Sequence, residues 1–146
     1  MNNRKEIEAD EMTKKLIAAA TEAMGRSYSP YSHFQVGAAL LTREGKIYLG
    51  CNIENASYTP TNCAERTAFF KAVSEGERNF EAICIIGGKN GVAEGVTAPC
   101  GVCRQVMQEF CNPETFRIIL PDGAGAYQEF MLEELFPLGF GPDNLL

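Results

Sequence analysis

The 146-residue chain has one histidine, no run of lysine or arginine, and no apolar stretch long enough to cross a membrane. Each absence removes a class of function. Nucleic-acid binding relies on clustered cations that displace condensed counterions, and a net charge of −6 with scattered cations argues against it. The N-terminal segment Met1-Asn2-Asn3-Arg4-Lys5-Glu6 leads into an acidic, amphipathic stretch without an apolar core, so no secretory signal is expected and a cytoplasmic location is. The lone His33 lies in a loop ahead of a strand, where a solvated or capping role is expected. No repeat or low-complexity linker divides the chain. Its length and its 45% hydrophobic content suit a single globular domain over residues 1–146, and its acidity suits a small neutral substrate better than a polyanion.

Six cysteines are present. In a reducing compartment they are better candidates for metal ligation or catalysis than for disulfides. Cys63-Ala64-Glu65 and the downstream Pro99-Cys100-Gly101-Val102-Cys103 together supply three thiolates and a neighbouring carboxylate. Zinc takes four ligands; structural sites fill all four with protein atoms, whereas catalytic sites leave one open. Cys100 and Cys103 are three residues apart at a helix start, so they share a face. Cys63 opens another helix, and two helix N-termini aimed at one point would lower the thiol pKa values. Arg66 could add a full positive charge, and Glu65 is placed to act as the general base toward an attacking water. Two other readings stand beside this one. The C-x-x-C pair could be a redox pair, which leaves Cys63 and Glu65 without a role, or the cysteines could form a structural zinc site, which lacks an evident fourth ligand. Cys51, Cys84 and Cys111 read as small buried residues.

Hydrophobic periodicity predicts a helix over residues 7–24 and a hairpin of strands at 35–41 and 46–51. A helix over 64–73, a strand at 82–86, a helix over 100–110 and strands at 117–120 and 126–130 follow, with a last helical turn at 132–136. Thr61 and Asn62 are expected to cap the 64–73 helix. This order implies an α/β layer architecture, with helices on both faces of a mixed sheet.

The metal motifs match the H-x-E then P-C-x-x-C signature of zinc-dependent nucleobase deaminases, with Cys63 in the histidine position. Tyr28-Ser29-Pro30-Tyr31-Ser32-His33-Phe34-Gln35-Val36-Gly37-Ala38-Ala39, Asn52-Ile53-Glu54-Asn55-Ala56-Ser57-Tyr58, Cys63-Ala64-Glu65-Arg66-Thr67-Ala68 and Pro99 through Gln105 extend the match over nearly the whole chain. It closely resembles the small homotetrameric type of cytidine deaminase. The resemblance implies a three-layer α/β/α fold with a mixed five-stranded sheet, one zinc ion per chain, and hydrolysis of cytidine and deoxycytidine to uridine and deoxyuridine in pyrimidine salvage. It also implies that Asn52 and Glu54 bind the ribose hydroxyls, that Phe34 packs on the pyrimidine, and that the Ala64 backbone meets the pyrimidine edge. Tyr58 and Phe140 would close a neighbouring subunit's pocket in a homotetramer. The main departure from the family pattern is Pro60, in the loop before Cys63.

Overall fold

A computed structural model describes residues 4–6 and 10–146. Along the chain run β1 (Arg4–Glu6), α1 (Glu11–Met24), β2 (Phe34–Thr42), β3 (Ile47–Cys51), α2 (Ala64–Ser74), β4 (Phe80–Lys89), α3 (Gly101–Phe110), β5 (Arg117–Pro121), β6 (Ala126–Met131) and α4 (Leu132–Leu135). The strands form one mixed sheet in the order β1-β6-β5-β4-β2-β3. Five of them are the expected ones, and the three-residue β1 adds an edge by pairing antiparallel with β6. The first helix begins later than its periodicity suggests, because the Asp10 carboxylate accepts from the Met12 N–H and caps the helix there. Residues 7–9, expected in the same helix, lie outside the described residues.

Strand alternation sorts the core into two layers. Val36, Ala38 and Leu40 of β2, Ile83 and Ile85 of β4, and Ile118 and Leu120 of β5 pack on the face covered by α2 and α3. Ala39 and Leu41, Ala82, Cys84 and Ile86, and Ile119 face α1 through Leu16, Ala20 and Met24. A strand buried on both faces must be apolar at every position, which is why 82–86 reads as an unbroken run. β4 and β5 are parallel, and α3 is the crossover such a pair requires.

Two glycines set the distance between sheet and helices. A β-carbon on Gly37 would collide with the Ala20 carbonyl and the Met24 backbone of α1, and one on Gly50 would collide with the Ala64 carbonyl and Ala68 N–H of α2. Gly50 thus lets α2, with Cys63 at its N-terminus, lie directly against β3. Gly50→Ala should therefore destabilise the protein by about 1–3 kcal/mol or more and reduce zinc retention, because the added methyl pushes on helix backbone. Urea unfolding together with zinc analysis checks this, and an unchanged midpoint would show that the close approach is not required.

Candidate metal centre and catalytic pocket

Cys63 and Cys100 occupy the N-cap positions of α2 and α3, and Cys103 lies in the first turn of α3. The cap expected from Thr61 and Asn62 does not form. Asn62 instead donates from Nδ2 to the Thr67 hydroxyl at 3.2 Å, and its backbone is paired in both directions with Ile53. The helix start falls to Cys63, whose side chain makes no capping bond and is left for other partners.

The Sγ atoms of Cys63, Cys100 and Cys103 lie within 4.8 Å of one another, and those of Cys63 and Cys100 are 3.8 Å apart. Sulfurs at tetrahedral corners around a zinc ion with ~2.3 Å bonds stand about 3.8 Å apart, so the thiols fit zinc. No histidine joins them: His33 is exposed in its loop, with its N–H bonded to the Ser29 carbonyl at 3.0 Å. Arg66 Nη2 donates to Cys63 Sγ at 3.3 Å. The Cys63 thiol is pulled down to about 5, first by the hydrogen bond from Cys103 and then, against opposing burial, by Arg66. Cys103, the donor to that thiolate, is pushed well above the ordinary thiol range by this bond and by burial. Only one of the pair ionises readily without a cation.

Glu65, in the first turn of α2, is only 5% exposed. Burial raises its carboxyl from 4.5 to about 7, with the negative charge of Cys63 adding to the effect. A cavity of about 170 Å³ joins it to Cys63, Cys100, Ala64, Asn52, Val36, Thr61, Asn62, Thr97 and Ala98. A second hollow of about 360 Å³ is lined by Tyr31, Ser32, Glu54, Tyr58 and Thr61, so Thr61 borders both. A larger cavity of about 570 Å³ lies between the end of α3 and the C-terminal tail, away from the thiols and Glu65, and its lining offers no comparable chemistry.

Asn52 and Glu54 are more committed than their extended spacing suggests. Asn52 Oδ1 accepts from the Val36 N–H at 2.9 Å and from the Ser27 hydroxyl, while Nδ2 donates to the Phe34 carbonyl at 2.8 Å. One amide hydrogen is left. Glu54 Oε1 accepts from the N–H groups of Tyr31 and Ser32 at 3.0 and 3.1 Å. The Ser32 hydroxyl is the main influence holding the Glu54 carboxyl below its ordinary range. Phe34 packs half-buried against the core at the start of β2, outside the lining of the thiol cavity. Tyr58 is 72% exposed and carries a positive φ of 63° in the turn that contains Pro60, where the Thr61 N–H returns to the Tyr58 carbonyl at 2.8 Å. Phe140 is 57% exposed and lies over Gln105 and Glu109 of α3, away from its own chain's thiols.

Sequence reasoning did not single out Thr61, Thr97 and Ala98 as cavity lining. Thr97 and Ala98 directly precede the Pro99 motif, which was the available signal, whereas the place of Thr61 between two hollows depends on the turn at Tyr58.

Residues 10–118 match the model of the cytidine and deoxycytidylate deaminase zinc-binding region. The cytidine deaminase of Sporosarcina psychrophila is 48% identical over 90% of this chain and 93% of its own, and that of Halalkalibacterium halodurans is 47% identical over 89% and 95%. The crystal structure of cytidine deaminase from Burkholderia pseudomallei superposes with a TM-score of 0.80 at 46% identity, covering 87% of this chain and 98% of that one.

Two outcomes follow from the geometry. In the zinc-free protein the raised Glu65 value means that the folded state favours the protonated carboxyl; this contribution to stability is full below about pH 4.5 and is lost as pH rises through about 7. Glu65→Gln should flatten that part of the stability–pH curve, and a curve identical to the parent's in urea unfolding would contradict it. Arg66→Gln should weaken zinc retention ~10–100-fold, measured by competition with a chromophoric chelator, since a partner that touches a ligand sulfur is removed.

Proposed function

The chain belongs to the cytidine and deoxycytidylate deaminase family, and we propose that it hydrolyses cytidine and deoxycytidine to uridine and deoxyuridine with release of ammonia, as one catalytic domain in pyrimidine salvage. The observation that carries this reading is the buried Glu65 carboxyl in one cavity with the thiols of Cys63 and Cys100 and with Asn52 at its rim.

Cys63, Cys100 and Cys103 would hold the zinc ion, with Arg66 offsetting thiolate charge. Zinc in such a site supplies Lewis acidity, which eases removal of a proton from the attacking water. Glu65 then does the proton work: a carboxyl held near neutrality can accept a proton from the water at its Oε atom and pass it to the pyrimidine ring nitrogen. A further transfer to the exocyclic amino group lets it leave as ammonia. The water oxygen bonds to the ring carbon as the bond from that carbon to the amino group breaks, so the oxygen becomes the product carbonyl, one water proton stays on the ring nitrogen and the other leaves in ammonia. The backbone of Ala64 meets the pyrimidine edge, and Phe34, which is outside the lining of the thiol cavity, would reach the ring from the start of β2.

Asn52, through its remaining amide hydrogen, and Glu54, through a carboxylate pinned by Tyr31 and Ser32, bind the sugar hydroxyls. The thiol cavity alone is smaller than the ~300 Å³ at which ligand sites begin, which supports base recognition inside it and sugar recognition in the hollow of Glu54. The exposure of Tyr58 and Phe140 supports a homotetramer in which they close a neighbour's pocket. No helix among the described residues is long and apolar enough to cross a membrane. All six cysteines are unpaired, as a reducing cytoplasm would keep them.

Purified protein incubated with cytidine, deoxycytidine, cytosine and adenosine, followed by ultraviolet absorbance and ammonia release, should turn over the first two only. Glu65→Ala should keep its zinc yet lose at least ~10²–10⁴-fold in rate, whereas Cys63→Ala should lose zinc. Near-normal turnover by a zinc-loaded Glu65→Ala protein would reject the mechanism.

A further inference from the structure

Two polar residues of the Pro99–Gln105 motif, Arg104 and Gln105, have no part in this chemistry. Arg104 follows Cys103 on α3 and bridges two distant pieces of backbone. Its Nε donates to the Pro99 carbonyl at 2.8 Å, the oxygen just before Cys100, and its Nη1 donates to the Leu135 carbonyl at 2.5 Å, at the end of α4. The Arg104 backbone N–H also bonds the carbonyl of Cys100 at 3.0 Å. Cys100 is therefore held from both sides by one residue: the preceding carbonyl by the guanidinium, its own carbonyl by the main chain. Among the described residues no carboxylate pairs with Arg104, so its charge is directed to peptide oxygens.

The same helix grips the chain beyond α4. Gln105 Nε2 donates to the Phe140 carbonyl at 2.8 Å, and Gln108 Nε2 reaches the Gly139 carbonyl at 3.5 Å. Three side chains of α3 thus fasten residues 135–140 to the helix that presents Cys100 and Cys103. A guanidinium is a rigid planar fork whose separate nitrogens donate to two acceptors at once, whereas the three donors of an ammonium all sit on one nitrogen at the end of a flexible stem. Freeing either carbonyl leaves a backbone acceptor without its partner and lets the Pro99–Cys100 peptide or the end of α4 turn.

We propose that Arg104 is a positioning residue that locks the Cys100 loop to the C-terminal segment, so that zinc occupancy and the order of residues 136–146 are coupled. The proposal rests on the zinc reading above. Coupling is reciprocal: if zinc fixes the Cys100 loop and Arg104 transmits this to Leu135, zinc must protect the tail, and a loosened tail end must speed zinc loss.

The test uses full-length parent, Arg104→Gln and Arg104→Lys, each first analysed for bound zinc and for folding by circular dichroism. Chymotryptic cleavage after Leu138 and Phe140 is timed by mass spectrometry for zinc-loaded and chelated protein, and zinc release is timed with a chromophoric chelator. Zinc should slow tail cleavage of the parent by about fivefold or more. Both variants should release zinc about tenfold faster and lose the difference between loaded and chelated cleavage. A role confined to tail packing would speed cleavage of both forms equally and leave zinc release unchanged. Full rescue by Arg104→Lys would show that charge alone matters and would overturn the bridge, as would parent-like zinc release from folded Arg104→Gln. If Arg104→Gln does not fold, the parent and the lysine variant decide. A parent without zinc refutes the zinc reading; a zinc-loaded parent whose tail is cleaved as fast as the chelated form refutes the coupling alone.

Discussion

Three thiols crowded within 4.8 Å are the constraint to which the rest of the structure answers. Two thiolates at about 4 Å repel by roughly 4 kcal/mol at an effective dielectric of 20, comparable to a large part of a small domain's stability. The fold meets this with positive potential that needs no folding of its own: the N-termini of α2 and α3 end on Cys63 and Cys100, and Arg66 adds a guanidinium at 3.3 Å from Cys63. These still leave Cys103 protonated beside the Cys63 thiolate. Completing the site takes a divalent cation, and the sulfur spacing suits zinc.

The same crowding accounts for Glu65. A carboxyl buried in the first turn of α2 loses solvation, and the neighbouring thiolate charge opposes its ionisation further. Its affinity for protons is brought near neutrality by position, against the opposing hydrogen bond from Cys103. The position in turn depends on Gly50, since a side chain there would lift α2 from β3 and open the carboxyl to water. A glycine on a strand thereby bears on the acid–base chemistry of a residue on the helix above it.

Local patterns made most of this legible in the sequence. The continuous run Ala82–Ile86 announced a strand covered on both faces, and the hairpin, both ligand helices and the three cysteines followed from period and spacing. What the sequence left hidden was set by long-range pairing. β1 is too short to leave a periodic signal and exists by pairing with β6. The N-cap position falls on Cys63, without a side-chain cap, while the Asn62 backbone pairs with Ile53, a partner visible only once the loops are folded together. No residue type marks Thr61, Thr97 and Ala98 as cavity lining: Thr97 and Ala98 are signalled only by adjacency to the Pro99 motif, and Thr61 reaches the cavity through the turn at Tyr58.

The loop around Asn52 shows how binding groups are held ready. A sugar site built from mobile side chains must order them on binding, at a cost of about 0.5–1.5 kcal/mol for each immobilised side chain. Here Asn52 is already fixed by Val36, Phe34 and Ser27, and Glu54 by two successive N–H groups of the Tyr31–Ser32 turn. These partners and Phe34 itself fall within residues 27–36, the loop and the start of β2, so one segment orients three of the side chains proposed for the nucleoside. Much of the ordering is therefore done in folding, and the hydrogen-bonding capacity left on Asn52 and Glu54 is small and directional. In the proposed function those remaining positions take the sugar hydroxyls, which would favour a nucleoside over the free base before any contact with the metal centre is made.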